Sequence, residues 1–448
     1  MTNVFLLSRR SVLLLGSSVA WRGLAHAGPA PATPAAPASP WFAREVQAPS
    51  APPPTPALAA GAPAHLAHWP RLVLRLVVKY QQNPLRAARA LAHVQVALHD
   101  AWAHASRTWP GAGAAGELAA HQAAARVMAQ LYPNETAGVF EAHRAHLADA
   151  LTLPDEARAA AAAVGNEVGE ALVARSLRDG AGRSWPPRQR PADFLGAWQP
   201  TWPLYAANPA EGLAGQWRPW VQPSAGRHDP PPPPRPGSAR HRQEAQEVLD
   251  AARALDDGQR RAAHAWHLEA GSVTPAGVWM QHTLEALGEA AAQAPTPAEG
   301  TALLLRGVTA VAVAMHDAFI DCWRVKVRDW SERPITAVRR DLDPGFEPLL
   351  VTPGFPAYVS GHATVSAAAA GVLGHFLPQR RAAFAAMAQE AAMSRLWGGI
   401  HFRSDNDEGL RLGQSVAQDV LAALRGPAAP GAPGQAALAG FASPERPA

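Results

Sequence analysis

The chain has 448 residues, 48% of them apolar, enough to bury one large core or two closely packed ones. Charged residues make up 17% and the formal net charge is +4, with no basic run interleaved with aromatics, which argues against a nucleic-acid partner. A single cysteine, Cys322, excludes an intramolecular disulfide and a cysteine-based metal site, and reads as a small buried apolar residue.

Residues 1–27 have the layout of a signal peptide. Arg9 and Arg10 precede a short apolar run, Val12 to Leu15, and Ala25-His26-Ala27 offers a small-x-small cleavage site. The arginine pair after Ser8 points to the twin-arginine route, and so to a periplasmic or secreted protein. Residues 28–66 are an Ala/Pro-rich linker. From 67 to 180 the pattern becomes helical and predicts an N-terminal bundle. One helix restarts at Asn83-Pro84 and runs to about Ser106, and another, "AAGELAAHQAAARVMAQLY", stops at Pro133. A third is capped by Asn134, and a fourth enters on Pro154 and leaves at Gly180.

Residues 181–240 break this pattern with many prolines and with Trp185, Trp198, Trp202, Trp217 and Trp220. Disordered segments are poor in aromatics, so this connection is expected to be ordered by tryptophans lying over the helices. Residues 241–425 return to helix, interrupted by an irregular stretch at 331–359, with helices near 361–378, 380–394 and 405–424. Residues 426–448 form a Pro/Ala/Gly-rich tail. No alternating strand pattern stands out, and no segment after the leader reaches roughly eighteen uncharged apolar residues, so no membrane span is expected. The fold class is all-α, built as helix bundles. A weak internal echo, "VALHDAW" (Val96–Trp102) and "VAMHDAF" (Val313–Phe319), suggests two similar bundles packed together.

Three stretches carry the chemistry. The chain has only two lysines, Lys79 and Lys326, so arginine supplies nearly every fixed cation. Lys326 precedes Arg333-Pro334 by six intervening residues; Ser360-Gly361-His362 follows; then come Arg395, His401 and Asp405. Three cations, a hydroxyl and an N–H near a helix N-terminus suit a tetrahedral oxyanion. His362 sits at that helix start. His401 follows Gly398-Gly399, a pair that lets the backbone turn and present the ring, and a helix starting near His401 would put Asp405 on its face to orient the imidazole. Simple anion binding needs no pair of histidines, so a non-catalytic helical scaffold fits this set poorly.

These stretches resemble the signature of the superfamily uniting vanadium-dependent haloperoxidases with type 2 phosphatidic-acid phosphatases and bacterial acid phosphatases: Lys-x6-Arg-Pro, Pro-Ser-Gly-His, Ser-Arg-x5-His-x3-Asp. Lys326, Arg333, Pro334, Ser360, Gly361, His362, Ser394, Arg395, His401 and Asp405 match it, and Val359 departs from it where the pattern has proline. The longer strings "TPGFPAYVSGHATVSAAA", "GGIHFRSDNDEGLRLG", "LAHVQVALHDAW" and "AWHLEAGSVTPAGVW" look like the secreted bacterial haloperoxidase branch, over about residues 70–425.

The resemblance implies two packed four-helix bundles, a vanadate cofactor whose site phosphate can also occupy, and hydrogen peroxide and halide as substrates. An organic substrate and a homodimer remain open. It implies His401 as the vanadium ligand, and Lys326, Arg333, Arg395, Ser360 and the Gly361 N–H as the oxyanion cradle. It implies His362 as acid/base, with Lys326 polarising the peroxide. Trp323 and Phe355 match positions near the halide site, and Glu269 matches a carboxylate that pairs with a site arginine. The alternative within the superfamily is a soluble phosphatase working through a phosphohistidine at His401.

Overall fold

The computed structural model describes residues 65–425 except 109–112, 136–137, 187–190, 192–193 and 222–225. The expected signal peptide, nearly all of the expected linker and the tail from 426 lie outside the described residues. The linker was expected to run to 66, yet His65 and Leu66 are already buried against the protein.

The described residues form thirteen α-helices and no strand. They are α1 (His68–Lys79), α2 (Pro84–Thr108), α3 (Gly113–Leu131), α4 (Val139–Asp149), α5 (Asp155–Arg178), α6 (Ala239–Arg253), α7 (Asp257–Ala265), α8 (Thr274–Ala292), α9 (Pro297–Asp329), α10 (Pro334–Asp341), α11 (Gly361–Phe376), α12 (Arg381–Trp397) and α13 (Arg403–Arg425). In the N-terminal bundle α3 packs on α2 and α5, with α1 and α4 alongside. In the C-terminal bundle α11 packs on α9, α12 and α13, and α8 lies against α9. The fold is all-α.

The α2 and α9 helices join the bundles, and they carry the two echoing strings. The echo extends to local geometry. His99 Nδ1 lies 2.8 Å from Asp100 Oδ1, and His316 Nδ1 lies 3.0 Å from Asp317 Oδ1. By length and composition α9 could cross a membrane, although Arg306 and Asp317 interrupt its uncharged apolar run. Its most apolar window is 89% buried inside the protein, as suits a core helix packed on α2, α8, α11 and α13.

Other local expectations are corrected. Asn134 does not cap α4; the helix starts after Gly138, whose φ of +84° only glycine adopts freely. The stretch 331–359 is not wholly irregular, because α10 lies within it, entered through Pro334 at its first position. Trp198 and Trp217 are buried in the 181–240 connection and Trp185 stacks on Trp330, but Trp202 is 56% exposed. Hydrogen bonds, more than rings, tie this connection to the C-terminal bundle. Trp198 N donates to Trp330 O, Glu332 N to Gly196 O, and Ala210 N to Gly354 O. Asp317 accepts from the backbone N–H groups of Trp220 and Val221. The connection therefore braces the segments at 330–333 and 354–358.

Candidate oxyanion-binding site

Four elements converge at the end of the C-terminal bundle. The last turn of α9 carries Lys326, and the helix stops at Trp330, whose φ of +46° breaks it. Arg333 is the N-cap of α10. Ser360 is the N-cap of α11; its Oγ accepts from Ala363 N at 3.4 Å, and Gly361 and His362 form the first turn. Arg395 sits in the last turn of α12, followed by Gly399 with φ of +74°, which turns the chain so that His401 can point inward. A β-carbon on Gly413 of α13 would come within 2.1 Å of Thr364 O, and one on Gly409 within 2.9 Å of Ser360 O. Two glycines thus let α13 lie directly against α11 and bring Asp405 beside Ser360, whose N–H donates to Asp405 O at 2.8 Å.

The helix expected near His401 begins two residues later, with α13 at Arg403. Asp405 orients His401 as anticipated: Nδ1 lies 2.9 Å from Asp405 Oδ2. The same oxygen accepts from Phe402 N at 3.0 Å, closing the entry to α13. On the opposite ring edge, Nη1 of Arg333 lies 3.1 Å from His401 Nε2. A guanidinium can only donate, so Nε2 carries a lone pair and Nδ1 carries the proton.

The cations are held by backbone carbonyls. Lys326 Nζ donates to Pro356 O at 2.9 Å and Ala357 O at 2.7 Å. Arg333 donates to Phe355 O and Ile400 O, and its Nη2 is buried without a hydrogen-bond partner. Arg395 donates from Nε to Ser394 Oγ and from Nη2 to Ala263 O. All three are at most 1% exposed, and among the described residues none forms an ion pair. Burial pulls both guanidinium pKa values down to about 9, and burial, with Arg333 nearby, also lowers that of the Lys326 ammonium. Burial raises the pKa of Asp405, against the pull of Lys326 and Arg333. His401 is held well below its ordinary value by burial and by the Arg333 and Lys326 cations. Asp405 attracts Lys326 and Arg333, and Glu269 attracts Arg395, yet burial still lowers all three pKa values, so a bound anion would stabilise these cations.

His362, partly exposed, marks the open side. Its Nε2 lies 2.8 Å from Trp266 O, so Nε2 carries the hydrogen and Nδ1 is the proton acceptor. Burial and the Arg395 cation keep its pKa well below the ordinary value. Trp323 and Phe355 form the wall beside Lys326. Their rings lie 4.9 Å apart, and Nζ sits 5.6 Å and 5.2 Å from the two centroids. Gly361 is close to the same wall, since a β-carbon there would meet Trp323 at 3.4 Å. Cys322 is buried, as expected, with Sγ 3.5 Å from Val359 O.

Lys326, Arg333, Ser360, Gly361, His362, Arg395, His401 and Asp405 are thus brought together. Glu269 is placed differently from expectation: its carboxylate pairs with His267 at 2.8 Å and forms no ion pair with Arg395. Sequence reasoning missed the acceptors, namely the carbonyls of Ala263, Trp266, Phe355, Pro356, Ala357 and Ile400. No residue identity advertises a carbonyl. It also passed over His267, which lay in plain view inside "AWHLEAG".

The profile of the VCPO second helical-bundle domain matches residues 306–385 and 378–428, which include every cradle residue. No curated relative matches the chain. Among solved structures, the first bacterial vanadium-dependent iodoperoxidase is 24% identical with a TM-score of 0.64, covering 80% of this chain and 96% of that one. A holo-type bacterial vanadium-dependent chloroperoxidase is 16% identical with a TM-score of 0.60, covering 76% and 92%. An apo-type bacterial vanadium-dependent chloroperoxidase is 14% identical with a TM-score of 0.59, covering 75% and 93%. The chain has the fold of the bacterial vanadium-dependent haloperoxidases, and its residues 306–428 match the VCPO second helical-bundle domain.

Proposed function

We propose that the chain is a vanadate-dependent peroxidase that oxidises halide with hydrogen peroxide. The overall reaction joins halide, hydrogen peroxide and one proton to give hypohalous acid and water; halide loses two electrons and peroxide gains them. One observation carries this reading: Lys326, Arg333 and Arg395 are buried together with no ion-pair partner, around a histidine whose Nε2 lone pair faces them. The unpartnered Arg333 Nη2 gives the cradle a donor that asks for an anion's oxygen.

The donor set fits vanadate. Lys326, Arg333, Arg395, Ser360 Oγ and the Gly361 N–H would hold its oxygens, and His401 Nε2 would be its one protein ligand. When bound, V(V) would act as a Lewis acid that makes hydrogen peroxide a stronger two-electron oxidant. The protein's own contribution is positional. Asp405 keeps the proton on Nδ1 of His401 and the lone pair on Nε2. His362 is locked by Trp266 O with its Nε2 protonated, so Nδ1 is the atom able to take a proton from entering peroxide and return it. Lys326, pinned by two carbonyls, presents its remaining N–H as a donor to an anion or to peroxide. Trp323 and Phe355 exclude water beside that ammonium and would form the halide wall.

The tautomer of His401 supports a second reading too, because an unprotonated Nε2, once released by Arg333 Nη1, is also what a nucleophile toward phosphorus needs. In that soluble phosphatase His362 would protonate the leaving group. A paired assay separates the two: iodide, bromide and chloride oxidation by peroxide after loading with orthovanadate, and phosphate-ester hydrolysis without it. Halide oxidation that depends on vanadate supports the first reading; ester hydrolysis with no such oxidation overturns it. We propose further that the chain is exported, which rests on Arg9-Arg10 and the small-x-small site and is tested by fractionating cells that express the full chain.

A further inference from the structure

The wall of Trp323 and Phe355 is held from outside its own bundle. Trp323 Nε1 donates to Ala210 O at 2.9 Å, and Ala210 N donates to Gly354 O at 3.0 Å. One residue of the 181–240 connection therefore ties Trp323, on α9, to the segment that carries Phe355. The two rings it links are those that lie 4.9 Å apart beside Lys326. Ala206 packs on the same segment, since a β-carbon on Gly354 would meet its Cβ at 2.8 Å. The Ala210 carbonyl belongs to the peptide whose nitrogen is that of Glu211, so the Glu211 backbone helps set where this acceptor points. Glu211 has φ of +50°, a conformation that a residue with a β-carbon rarely adopts and that its contacts must impose.

Arg86 and Asn83 supply those contacts. Glu211 accepts from Arg86 Nε at 2.6 Å and Nη2 at 2.9 Å, and from Asn83 Nδ2 at 2.8 Å. Asn83 Oδ1 accepts in turn from Leu85 N and Arg86 N, so both donors are fixed to the first turn of α2, in the N-terminal bundle. The two parallel hydrogen bonds between guanidinium and carboxylate give this pair direction as well as charge. Trp217 covers it on one side, with Arg86 Cζ 5.0 Å from the ring centroid. Ala214 N holds the Glu211 carbonyl at 2.7 Å. We propose that Glu211 is a positioning residue for the halide wall: gripped by Arg86 of the N-terminal bundle, it holds the Ala210 peptide in place and so sets the gap between Trp323 and Phe355. The C-terminal bundle carries the cradle, but one side of its pit depends on the other bundle. This rests on the halide-oxidising reading of the pit.

Two measurements on the full chain test this. Amide hydrogen exchange reads the Ala210 N–H, and steady-state kinetics after loading with orthovanadate read KM separately for iodide, bromide and peroxide. Glu211→Ala is expected to speed exchange at Ala210 and to raise the halide KM, each about tenfold, the lower end of what loss of an outer-shell partner brings. The peroxide KM, and orthovanadate affinity by calorimetry, should stay within about twofold, because the cradle's own partners are untouched. Arg86→Ala should act in the same direction, and the double variant should be no worse than Glu211→Ala, since both changes break one contact. Glu211→Gln keeps the shape and one acceptor oxygen, so it should fall between wild type and alanine, and it carries the test if the alanine variant does not fold. Unchanged exchange at Ala210 or an unchanged halide KM overturns the inference. So does a rise in halide KM that comes with an equal loss of orthovanadate affinity, which is what a merely structural residue would give. A loaded wild type that oxidises no halide overturns the halide reading and this inference with it. A wild type that oxidises halide, with Glu211→Ala its equal, removes this inference alone.

Discussion

Nη1 of Arg333 donates to Nε2 of His401 across 3.1 Å, and this one contact fixes which imidazole nitrogen is available to a ligand. Asp405 completes the assignment from the other ring edge at 2.9 Å. The three side chains form a line from cation to ring to carboxylate, and the order of charge along it aims the lone pair into the positive pit.

Removing the end of that line tests it. Asp405→Ala deletes the acceptor of both the His401 ring and the Phe402 N–H. Vanadate affinity is expected to fall about 10- to 100-fold. Stability should fall by about 1–3 kcal/mol, because a buried backbone donor is left unmet. Asp405→Asn keeps an acceptor oxygen and should lie between wild type and alanine in both titration and thermal melts. An alanine variant that binds as tightly as wild type would remove Asp405 from its orienting role.

Lys326→Arg asks whether charge alone suffices. The ammonium fits between two carbonyls and two rings, at 2.7 and 2.9 Å from the oxygens. A planar guanidinium cannot place two N–H groups there in the same space. Halide oxidation is expected to drop at least about 100-fold, the lower range for loss of a preorganised donor at a site of developing charge. Circular dichroism should show the helices retained. Activity within a few-fold of wild type would mean that a point charge, and not this geometry, is what the site requires.

The side-chain part of the site was legible because the chemistry is carried by residue types at fixed spacing. Lysine is so scarce here that Lys326 stood out before any partner was known. The cradle's acceptors were not legible, since any residue could supply the carbonyls of Pro356, Ala357 or Ile400. Long helices such as α2 and α5 were readable from their caps and period, whereas the eight-residue α10 was hidden between proline-rich flanks. Trp202 shows the limit of composition: aromatic content predicted an ordered connection, but not which rings would face the solvent. Glu269 was placed by likeness to a family position, but in the structure its carboxylate lies 2.8 Å from His267 Nε2 and forms no ion pair with Arg395.

Close packing of α11 on α13 predicts that a methyl group is too much at one position. In Gly413→Ala the new carbon would sit 2.1 Å from Thr364 O and 2.9 Å from Ala367 Cβ, so the helices must separate. Such overpacking destabilises by about 1–3 kcal/mol. Because α11 begins at Ser360 and α13 carries Asp405, the shift also spreads the site, and vanadate affinity should fall along with the melting temperature. Gly288→Ala, where nothing lies within 4 Å, is the control and should raise stability slightly by favouring helix. Equal melting temperatures for Gly413→Ala and wild type would contradict the close approach.

The N-terminal bundle offers a pH test independent of the oxyanion site. Glu117, on α3, is 5% exposed, its carboxylate lies 3.5 Å from His65, whose own pKa burial lowers, and burial pushes the Glu117 pKa from 4.5 to about 7. The folded state therefore binds a proton more tightly than the unfolded chain does. Between pH 4.5 and about 7 the folded protein holds that proton while the unfolded chain has lost it, so stability falls as pH rises through this window. The loss is complete above about pH 7 and amounts to up to about 3 kcal/mol at 1.36 kcal/mol per pKa unit. Glu117→Gln removes the titration while keeping the shape. Denaturant melts should find it equal to wild type near pH 4 and more stable at pH 8. His121, on the same helix and fully buried, has its pKa lowered to about 3 by burial, so its contribution has the opposite sign and is lost as pH falls from 6.5 toward 3. It is present in both proteins, so the difference between them isolates Glu117. A difference that does not grow between pH 4.5 and 7 would place the carboxyl in water instead of in the bundle.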